Sequence, residues 1–302
     1  MSTIMENIEL KKSRILIYGA GSIGVFLGAT FFKQGYDVTL YGRRKLKKLH
    51  DSILINGILY KTPPRIYRLK DGSQYDVVFI TTKLYDSTHA LNDLKKKNIS
   101  EDVLVLIQNG LVDEDFFKDF HSHPGFVTIS VFEGYRLIEN QLLATKSGIG
   151  WQTENSLAGQ RVCGLLEESG VTCKATDDLD SIRAEKMILV CAVGALSAIE
   201  KKTVGELIAG NGTKKTIESI IDESYAVLRD NHKLPEIALL KKRFYKTISQ
   251  IKTHYSSMYQ DITSGRKTEI EHLNGYIVQL GIKKEIPTPV NEKIYRKIKS
   301  LE

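Results

Sequence analysis

Residues 14–28 read RILIYGAGSIGVFLG, an apolar run followed by a glycine-rich turn and a segment suited to a helix. The order strand, glycine turn, helix is the context in which a GxGxxG motif binds a dinucleotide. In such a turn Gly19 allows the tight bend, Gly21 lets backbone N–H groups approach a pyrophosphate, and Gly24 lets the helix pack close to the strand. The amino terminus of the helix then offers unpaired N–H groups and a partial positive charge to the phosphates.

An isolated GxGxxG is a weak signal, because it also occurs as an ordinary glycine-rich turn. Here a second apolar run, DVTLY at residues 37–41, follows shortly after Gly35, as expected for the next strand of the same sheet. We therefore interpret the motif as a dinucleotide site. The residues expected to bind the cofactor within it are Gly19, Gly21, Ser22, Ile23 and Gly24.

The composition is that of a globular protein with two domains. The chain has 302 residues, of which 42% are hydrophobic and 26% charged, enough for a substantial core. Three cysteines, Cys163, Cys173 and Cys191, lack metal-ligand spacing and leave one unpaired. This pattern favours a reducing cytosol, and therefore a cytoplasmic location without a bound metal.

Neither a membrane nor a nucleic acid is expected as a partner. The first residues, MSTIMENIELKK, lack the apolar core of a signal peptide, and the apolar run at 187–199 is too short to cross a bilayer. The net charge is +7, but the lysines are scattered and form no basic–aromatic platform. A basic cleft for an anionic cofactor and an anionic substrate explains the charge more simply.

The pattern of apolar runs predicts an α/β fold with a helical second domain. Near-continuous apolar strands separated by helical stretches indicate a parallel sheet covered on both faces. From residue 178 onward the pattern is helical, with predicted breaks at 210–212, 231–235, 254–264 and 287–289. We predict a Rossmann-type dinucleotide-binding domain at residues 1–178 and an all-helical domain at residues 179–302.

Two arginines follow the second predicted strand. An NAD-specific site usually has an acidic residue at this place, where it holds the ribose hydroxyls. Here the chain has Arg43 and Arg44, and guanidinium groups suit a 2′-phosphate. The sequence therefore favours NADP over NAD, the alternative being a solvated basic start of a helix.

Polar residues also follow two of the later strands. Lys83 comes after the apolar run at 75–80, and Asn109 comes after the run at 103–107. Ligands of doubly wound folds bind outside the carboxyl ends of the strands, so we expect both side chains to face the cofactor cleft. The alternatives are a solvated lysine and a common Asn-Gly turn.

Two segments of the helical region carry polar residues in unexpected places. In the first, RAEK at residues 183–186 leads directly into an apolar helix. The amine of Lys186 is therefore either exposed to solvent at the end of a packed side chain or buried with a shifted pKa. In the second, SSMYQDI at 256–262 is followed by RKTEIEHLNG at 266–275. Its simplest interpretation is a serine-rich turn before a helix that opens with Thr268 and Glu269.

Together these motifs resemble the ketopantoate reductase family, the 2-dehydropantoate 2-reductases. The resemblance covers nearly the whole chain, and its most specific part is SSMYQDI followed by RKTEIEHLNG, which lies outside the generic dinucleotide domain. It implies NADPH-dependent reduction of a 2-oxo acid to a 2-hydroxy acid, as in pantothenate biosynthesis, with the active site between the domains. The oligomeric state, monomer or homodimer, stays open.

The resemblance also implies roles for particular residues. Lys186 is the general acid that protonates the substrate carbonyl, and Glu269 helps to hold this lysine and the substrate. Ser257 and Asn109 bind substrate, while Lys83 and Asn109 line the nicotinamide side. Arg43 matches the family's reader of the 2′-phosphate.

The chain departs from the family pattern where the family usually has asparagines. Those positions here are Val190, Gly194 and Val204, and residues 133–136 also differ from the usual sequence. The reaction class is preserved, but the substrate is not determined. The alternatives are a relative that reduces a more apolar 2-oxo acid, a non-catalytic NADP(H)-binding sensor and, more distantly, a nucleic-acid-binding protein.

Overall fold

The apolar run before the glycine turn forms an inner strand of a large sheet. The structure is a computed structural model that describes residues 13–42, 51–111 and 123–302. The strands within these residues are β1 (Arg14–Tyr18), β2 (Asp37–Tyr41), β3 (Ser52–Ile55), β4 (Ile58–Lys61), β5 (Arg65–Ile66), β6 (Gln74–Ile80), β7 (Ser100–Ile107), β8 (Phe126–Val131), β9 (Gly134–Ile138), β10 (Gln141–Thr145), β11 (Trp151–Glu154) and β12 (Cys173–Thr176).

Eight of these strands form the main sheet, in the order β12-β11-β8-β7-β6-β1-β2-β5. The pairs from β5 to β8 are all parallel, as the sequence predicts, and only β11 runs antiparallel to its neighbour β8. The side chains of β1 are buried on alternate faces, with Ile15 and Ile17 in one core and Leu16 and Tyr18 in another. Both faces are therefore covered, which explains why the strand is apolar throughout.

Helices follow strands in the first part of the chain and dominate after β12. The bounds are α1 (Ser22–Lys33), α2 (Leu84–Lys96), α3 (Leu157–Glu168), α4 (Leu179–Glu200), α5 (Val204–Ala209), α6 (Asn211–Leu228), α7 (Ile237–Gln250), α8 (Ser257–Thr263), α9 (Asn274–Lys283) and α10 (Pro289–Lys299), with a 3₁₀ turn at Ile270–His272. Helices α1 and α3 cover one face of the main sheet and α2 covers the other.

A small second sheet, not foreseen as a unit in the sequence, has the order β4-β3-β10-β9. It joins two hairpins, of which β3–β4 turns at Asn56 and Gly57, both with positive φ. An Asn-Gly pair is typical of such a turn. The pairing of β3 with β10 joins segments far apart in the chain, which a local pattern does not reveal.

The helical domain is built around α4, whose apolar residues lie in a separate core. Two local predictions were wrong here. The expected break at 254–264 contains α8, because Ser256 caps that helix by accepting the N–H of Tyr259 at 3.0 Å. The expected helix at Thr268 begins later, at Asn274, since Thr268 donates its N–H and hydroxyl to Glu302 instead of opening a helix.

Candidate active site

The glycine turn has a geometry that only glycine can adopt at two of its positions. Gly19 has φ of +125°, and its N–H donates to the carbonyl of Tyr41 at 3.0 Å. A Cβ on Gly24 would lie 1.8 Å from the carbonyl oxygen of Gly19, so the first turn of α1 packs directly on the glycine turn. Thr81, at the end of β6, donates its hydroxyl to the same oxygen at 2.8 Å.

The middle glycine faces open space. A Cβ built on Gly21 would meet no atom within 4 Å. Gly21 is the N-cap of α1, and no side chain satisfies the first N–H groups of the helix. Open space in front of unpaired N–H groups fits a pyrophosphate, so the residues present suit a dinucleotide.

The two arginines behind the NADP prediction, Arg43 and Arg44, lie outside the described residues. The preference for NADP therefore stays a prediction. The last described residue of that strand end is Gly42, which carries no acidic side chain.

Lys83 joins the sheet domain to the helical domain through two carboxylates. Its Nζ lies 2.8 Å from Oδ2 of Asp261 and 3.2 Å from Oε2 of Glu269. Glu269 also accepts the N–H of Leu84 through Oε1 at 3.2 Å. Burial alone would lower the pKa of Lys83, but Glu269 and Asp261 outweigh it and raise this pKa above its ordinary value. Lys83 is thus a permanent cation.

Lys186 lies in a contrasting environment. Its side chain is 8% exposed, and Nζ donates to Oδ1 of Asn109 at 2.9 Å. Burial, together with repulsion from Arg183, lowers the pKa of Lys186 to about 7, while the charge of Glu269 opposes the shift. The amine also lies 5.5 Å from the centroid of the Phe132 ring. A buried lysine with this pKa can donate a proton near neutrality.

The segments that carry these residues touch one another. Arg183 donates to the carbonyl of Gly110 at 3.2 Å. Gly110 has φ of +88°, and a Cβ there would lie 2.8 Å from the carbonyl oxygen of His272. The turn after β7 is therefore in contact both with α4 and with the segment that carries Glu269. Lys83, Asn109, Lys186 and Glu269 accordingly share one region between the two domains.

Ser257 is not part of this network. It is exposed at the start of α8, and its hydroxyl has no hydrogen bond to any described residue. The neighbouring Ser256 connects α8 to α4, because its hydroxyl donates to the carbonyl of Gly194 at 2.7 Å. The substrate role of Ser257 stays a prediction.

Two of the three positions that depart from the family pattern lie on α4 after Lys186, and the third begins α5. Val190 is half-buried, and a Cβ on Gly194 would meet only Cγ1 of Val190, at 3.6 Å. Val204, in contrast, is 2% exposed within the helical core. It therefore cannot contribute to the lining of a pocket.

Two residues of the site were not identified from the sequence. Asp261 is 4% exposed and binds both Lys83 and Arg266, the latter at 3.1 Å. Arg183 is the cation that repels Lys186. Asp261 acts on Lys83, which is 178 residues away, so the only sequence signal for it was membership of a motif already quoted. Arg183 lies three residues before Lys186 on α4, a spacing at which two charges on a helix interact, and this was a usable signal.

The residues that the structure describes are 13–42, 51–111 and 123–302. No group of three or more His, Cys, Asp or Glu residues there could hold a metal ion. None of the helices in those ranges combines the length and apolar character needed to cross a membrane.

Comparison with known proteins gives matches over most of the chain. A family model described as ketopantoate reductase PanE/ApbA matches residues 15–149, and its C-terminal counterpart matches residues 178–302. Among curated relatives, 2-dehydropantoate 2-reductase of Aquifex aeolicus is 26% identical, with 96% of this chain and 97% of that protein covered.

Solved structures confirm the fold. The PanE/ApbA family ketopantoate reductase of Ralstonia eutropha has a TM-score of 0.80 at 24% identity, covering 95% of this chain and 98% of that one. D-mandelate dehydrogenase, solved with NADH and anilino(oxo)acetate, has a TM-score of 0.84 at 20% identity with the same coverage. From its two matched domains and its fold, the chain belongs to the ketopantoate reductase family.

Proposed function

We propose that this chain is an NADPH-dependent reductase that converts a 2-oxo acid into a 2-hydroxy acid. The observation that carries the proposal is the contact of the buried Lys186 with the half-buried Asn109, with Nζ and Oδ1 2.9 Å apart. The pair lies at the carboxyl ends of the parallel strands, the side on which doubly wound folds bind their ligands.

The proposed chemistry follows from the charge that develops on the substrate. A bound nicotinamide would supply the hydride, which leaves negative charge on the carbonyl oxygen. Lys186 donates a proton to that oxygen, and this stabilises charge present mainly in the transition state. Asn109 orients the amine and contacts the substrate, while Lys83 lines the nicotinamide side. Glu269 holds Lys83 through an ion pair, and its negative charge increases the fraction of Lys186 that is protonated.

The cofactor proposal combines the glycine turn with the strand end that follows it. The open space at Gly21 and the unpaired N–H groups of α1 suit a pyrophosphate. The strand end has Gly42, Arg43 and Arg44 and no acidic residue, which favours NADP(H) over NAD(H). The solved D-mandelate dehydrogenase carries NADH, so the fold itself does not decide between the two cofactors.

The substrate proposed first is ketopantoate, reduced to pantoate for pantothenate biosynthesis, because the curated relative from Aquifex aeolicus is a 2-dehydropantoate 2-reductase. A second candidate is a 2-oxo acid with a larger apolar side chain. The space beside Val190 and Gly194, together with the ring of Phe132 next to Lys186, favours it. A non-catalytic NADP(H) sensor is disfavoured, because Lys186 and Glu269 are both present in a connected network.

The domain division at 178/179, a cytoplasmic location and the absence of nucleic-acid and membrane partners remain part of the proposal. Strand β12 ends at Thr176 and helix α4 begins at Leu179, which supports the division. Monomer and homodimer are distinguished by light scattering on the purified protein.

The test is a screen of the purified protein for NADPH oxidation over a panel of 2-oxo acids that includes ketopantoate. We expect turnover with at least one acid, preference for NADPH over NADH, and a loss of about 10²–10⁴-fold in kcat for Lys186→Ala with unchanged NADPH affinity. Lys215→Ala, at an exposed lysine on α6, is the control. NADPH binding without turnover of any 2-oxo acid would support the sensor instead, and failure to bind either cofactor would refute the proposal.

A further inference from the structure

A third arginine lies at the end of β2, delivered by a neighbouring strand. The short edge strand β5 pairs in parallel with β2, with Arg65 opposite Leu40 and Ile66 opposite Tyr41. The N–H of Gly42 donates to the carbonyl of Ile66 at 3.2 Å, which continues the pairing past the end of β2. Arg65 is thus placed at the carboxyl edge of the sheet, beside the strand end where a dinucleotide's adenosine ribose is held.

The guanidinium of Arg65 occupies the space directly over Gly42. A Cβ on Gly42 would lie 2.5 Å from Nη2 and 3.0 Å from Nε of Arg65, and 3.1 Å from Cβ of Ala20. Ala20 belongs to the glycine turn itself, so this guanidinium reaches the place where strand end and turn meet. The absence of a side chain at residue 42 is what allows the approach. Arg65 also lies 5.2 Å from the ring centroid of Tyr67, which supports its planar group.

We propose that Arg65 binds the 2′-phosphate of NADP(H) from the edge strand β5 and contributes to cofactor selection. The inference rests on the proposed dinucleotide function, but it uses an arginine that is remote in sequence from Arg43 and Arg44. Nε and Nη1 of Arg65 are buried, so the proposed contact with the phosphate is made by Nη2, and the guanidinium keeps its charge at physiological pH. NADH has no group for it to bind, so its contribution is specific to the phosphorylated cofactor.

A purely structural role predicts a different result. If Arg65 only packed on Tyr67 and held β5 in place, its removal would weaken both cofactors together, since both use the same turn and strand end. A 2′-phosphate role weakens only ligands that carry this phosphate. The ratio of the two affinities therefore separates the roles, whatever the effect on folding.

The experiment measures dissociation constants of NADPH and NADH by fluorescence for wild type, Arg65→Met and Arg65→Lys. Adenosine 2′,5′-bisphosphate and adenosine 5′-monophosphate serve as ligands without nicotinamide. For Arg65→Met we expect NADPH and the bisphosphate to bind about ten- to a hundredfold more weakly, with NADH and the monophosphate within about twofold of wild type. Arg65→Lys should lie between the two. Arg68→Met, at an exposed arginine of the same segment, is the matched control.

A second variant tests the same contact from the other side. Gly42→Ala adds a methyl group 2.5 Å from Nη2, which is too close for both to stay, so it should displace the guanidinium and weaken NADPH binding selectively. In the Arg65→Met background it should add little, because the contact is already lost.

Equal weakening of NADPH and NADH in Arg65→Met, or no change in either, would overturn the assignment of Arg65 while leaving the dinucleotide proposal intact. A wild-type protein that binds neither cofactor would instead refute the proposed function on which the assignment rests.

Discussion

Glu269 binds Lys83 rather than the buried Lys186: its Oε2 lies 3.2 Å from Nζ of Lys83, while Oε1 accepts the N–H of Leu84. The carboxylate therefore connects the helical domain to the end of β6 and the start of α2. It acts on Lys186 only through its charge, which raises the pKa of that amine against burial. From the family resemblance we expected Glu269 to contact Lys186 directly. In the structure it affects Lys186 only through its charge.

Glu269→Gln should lower kcat/KM by about ten- to a hundredfold, because a charge-assisted contact of about 1.5–3 kcal/mol is weakened. Glutamine can still accept the N–H of Leu84, so the fold should be retained. The pKa of Lys186 should fall further, since an opposing negative charge is gone. Steady-state kinetics over a pH series check both effects. Glu271→Gln, on the same 3₁₀ turn, is the control, and identical losses in the two variants would contradict this role.

Reduction should follow the protonation of Lys186. Its pKa of about 7 predicts that kcat/KM is level at lower pH and falls as pH rises through 7, because the acid must be protonated. Arg183→Gln removes a repelling charge, so it should raise this pKa and move the fall to higher pH. Arg161→Gln, at an exposed arginine on α3, should leave the profile in place. A pH profile that is unchanged by Arg183→Gln would show that another group controls it.

Burial of Lys186 should cost stability at neutral pH. The pKa is about 7 in the folded chain and 10.5 in the reference state, so the unfolded chain binds more protons between these values and stability rises with pH across that window. Lys186→Met removes this dependence. It should be more stable than wild type by up to about 5 kcal/mol at pH 7, at 1.36 kcal/mol per unit, with the difference shrinking towards pH 10.5.

Urea unfolding of both proteins at several pH values checks this prediction, with Lys215→Met as the control. A difference that does not shrink with rising pH would show that packing, rather than the charge, separates the two proteins.

Two substitutions in the glycine turn should have different effects, one on stability and the other on cofactor binding. Gly24→Ala places a methyl group 1.8 Å from the carbonyl oxygen of Gly19, so it should destabilise the protein by roughly 1–3 kcal/mol or more. Gly21→Ala meets no protein atom within 4 Å, so the Tm without ligand should be unchanged while NADPH binding is lost. Thermal melts and fluorescence titrations measure the two effects. Unchanged NADPH affinity in Gly21→Ala would mean that the pyrophosphate lies elsewhere.

Local patterns predicted the parts of the molecule that depend on local physics. The strand–turn–helix at Gly19 and the long helix that carries Lys186 are set by backbone conformation and by the spacing of apolar residues. The contacts of Lys83 could not be derived in this way, because its two carboxylate partners lie 178 and 186 residues away. The resemblance supplied candidate residues, but pairing between them required the fold.

The same limit applies to Val204. Its place in the family pattern does not reveal that it packs in the helical core at the start of α5. Burial depends on which helices surround a residue, and the spacing along one chain segment does not encode it. The loss of polar contacts to the substrate therefore concerns Val190 and Gly194 alone.

The last prediction concerns the substrate. Val190 and Gly194 lie four and eight residues after Lys186, on one face of α4. At about 1 kcal/mol for each ordinary hydrogen bond, two absent contacts should cost roughly 2 kcal/mol, or about thirtyfold in kcat/KM for ketopantoate. If the second substrate candidate is correct, a 2-oxo acid with a branched or aromatic side chain is the better substrate. Tyr135 cannot replace the missing donors, because its hydroxyl is bonded to Glu133 and Trp151.

Substrate preference is decided by measuring kcat/KM for ketopantoate and for branched and aromatic 2-oxo acids. The measurements are made on the wild type and on the Val190→Asn, Gly194→Asn double variant. The variant should improve ketopantoate by about ten- to thirtyfold and leave or weaken the apolar acids, because it restores amide donors at both positions. Val204→Asn, which buries an amide in the core, should instead destabilise the protein without improving any substrate. A wild-type enzyme that already prefers ketopantoate strongly, and gains nothing from the double variant, would show that other groups supply the missing contacts.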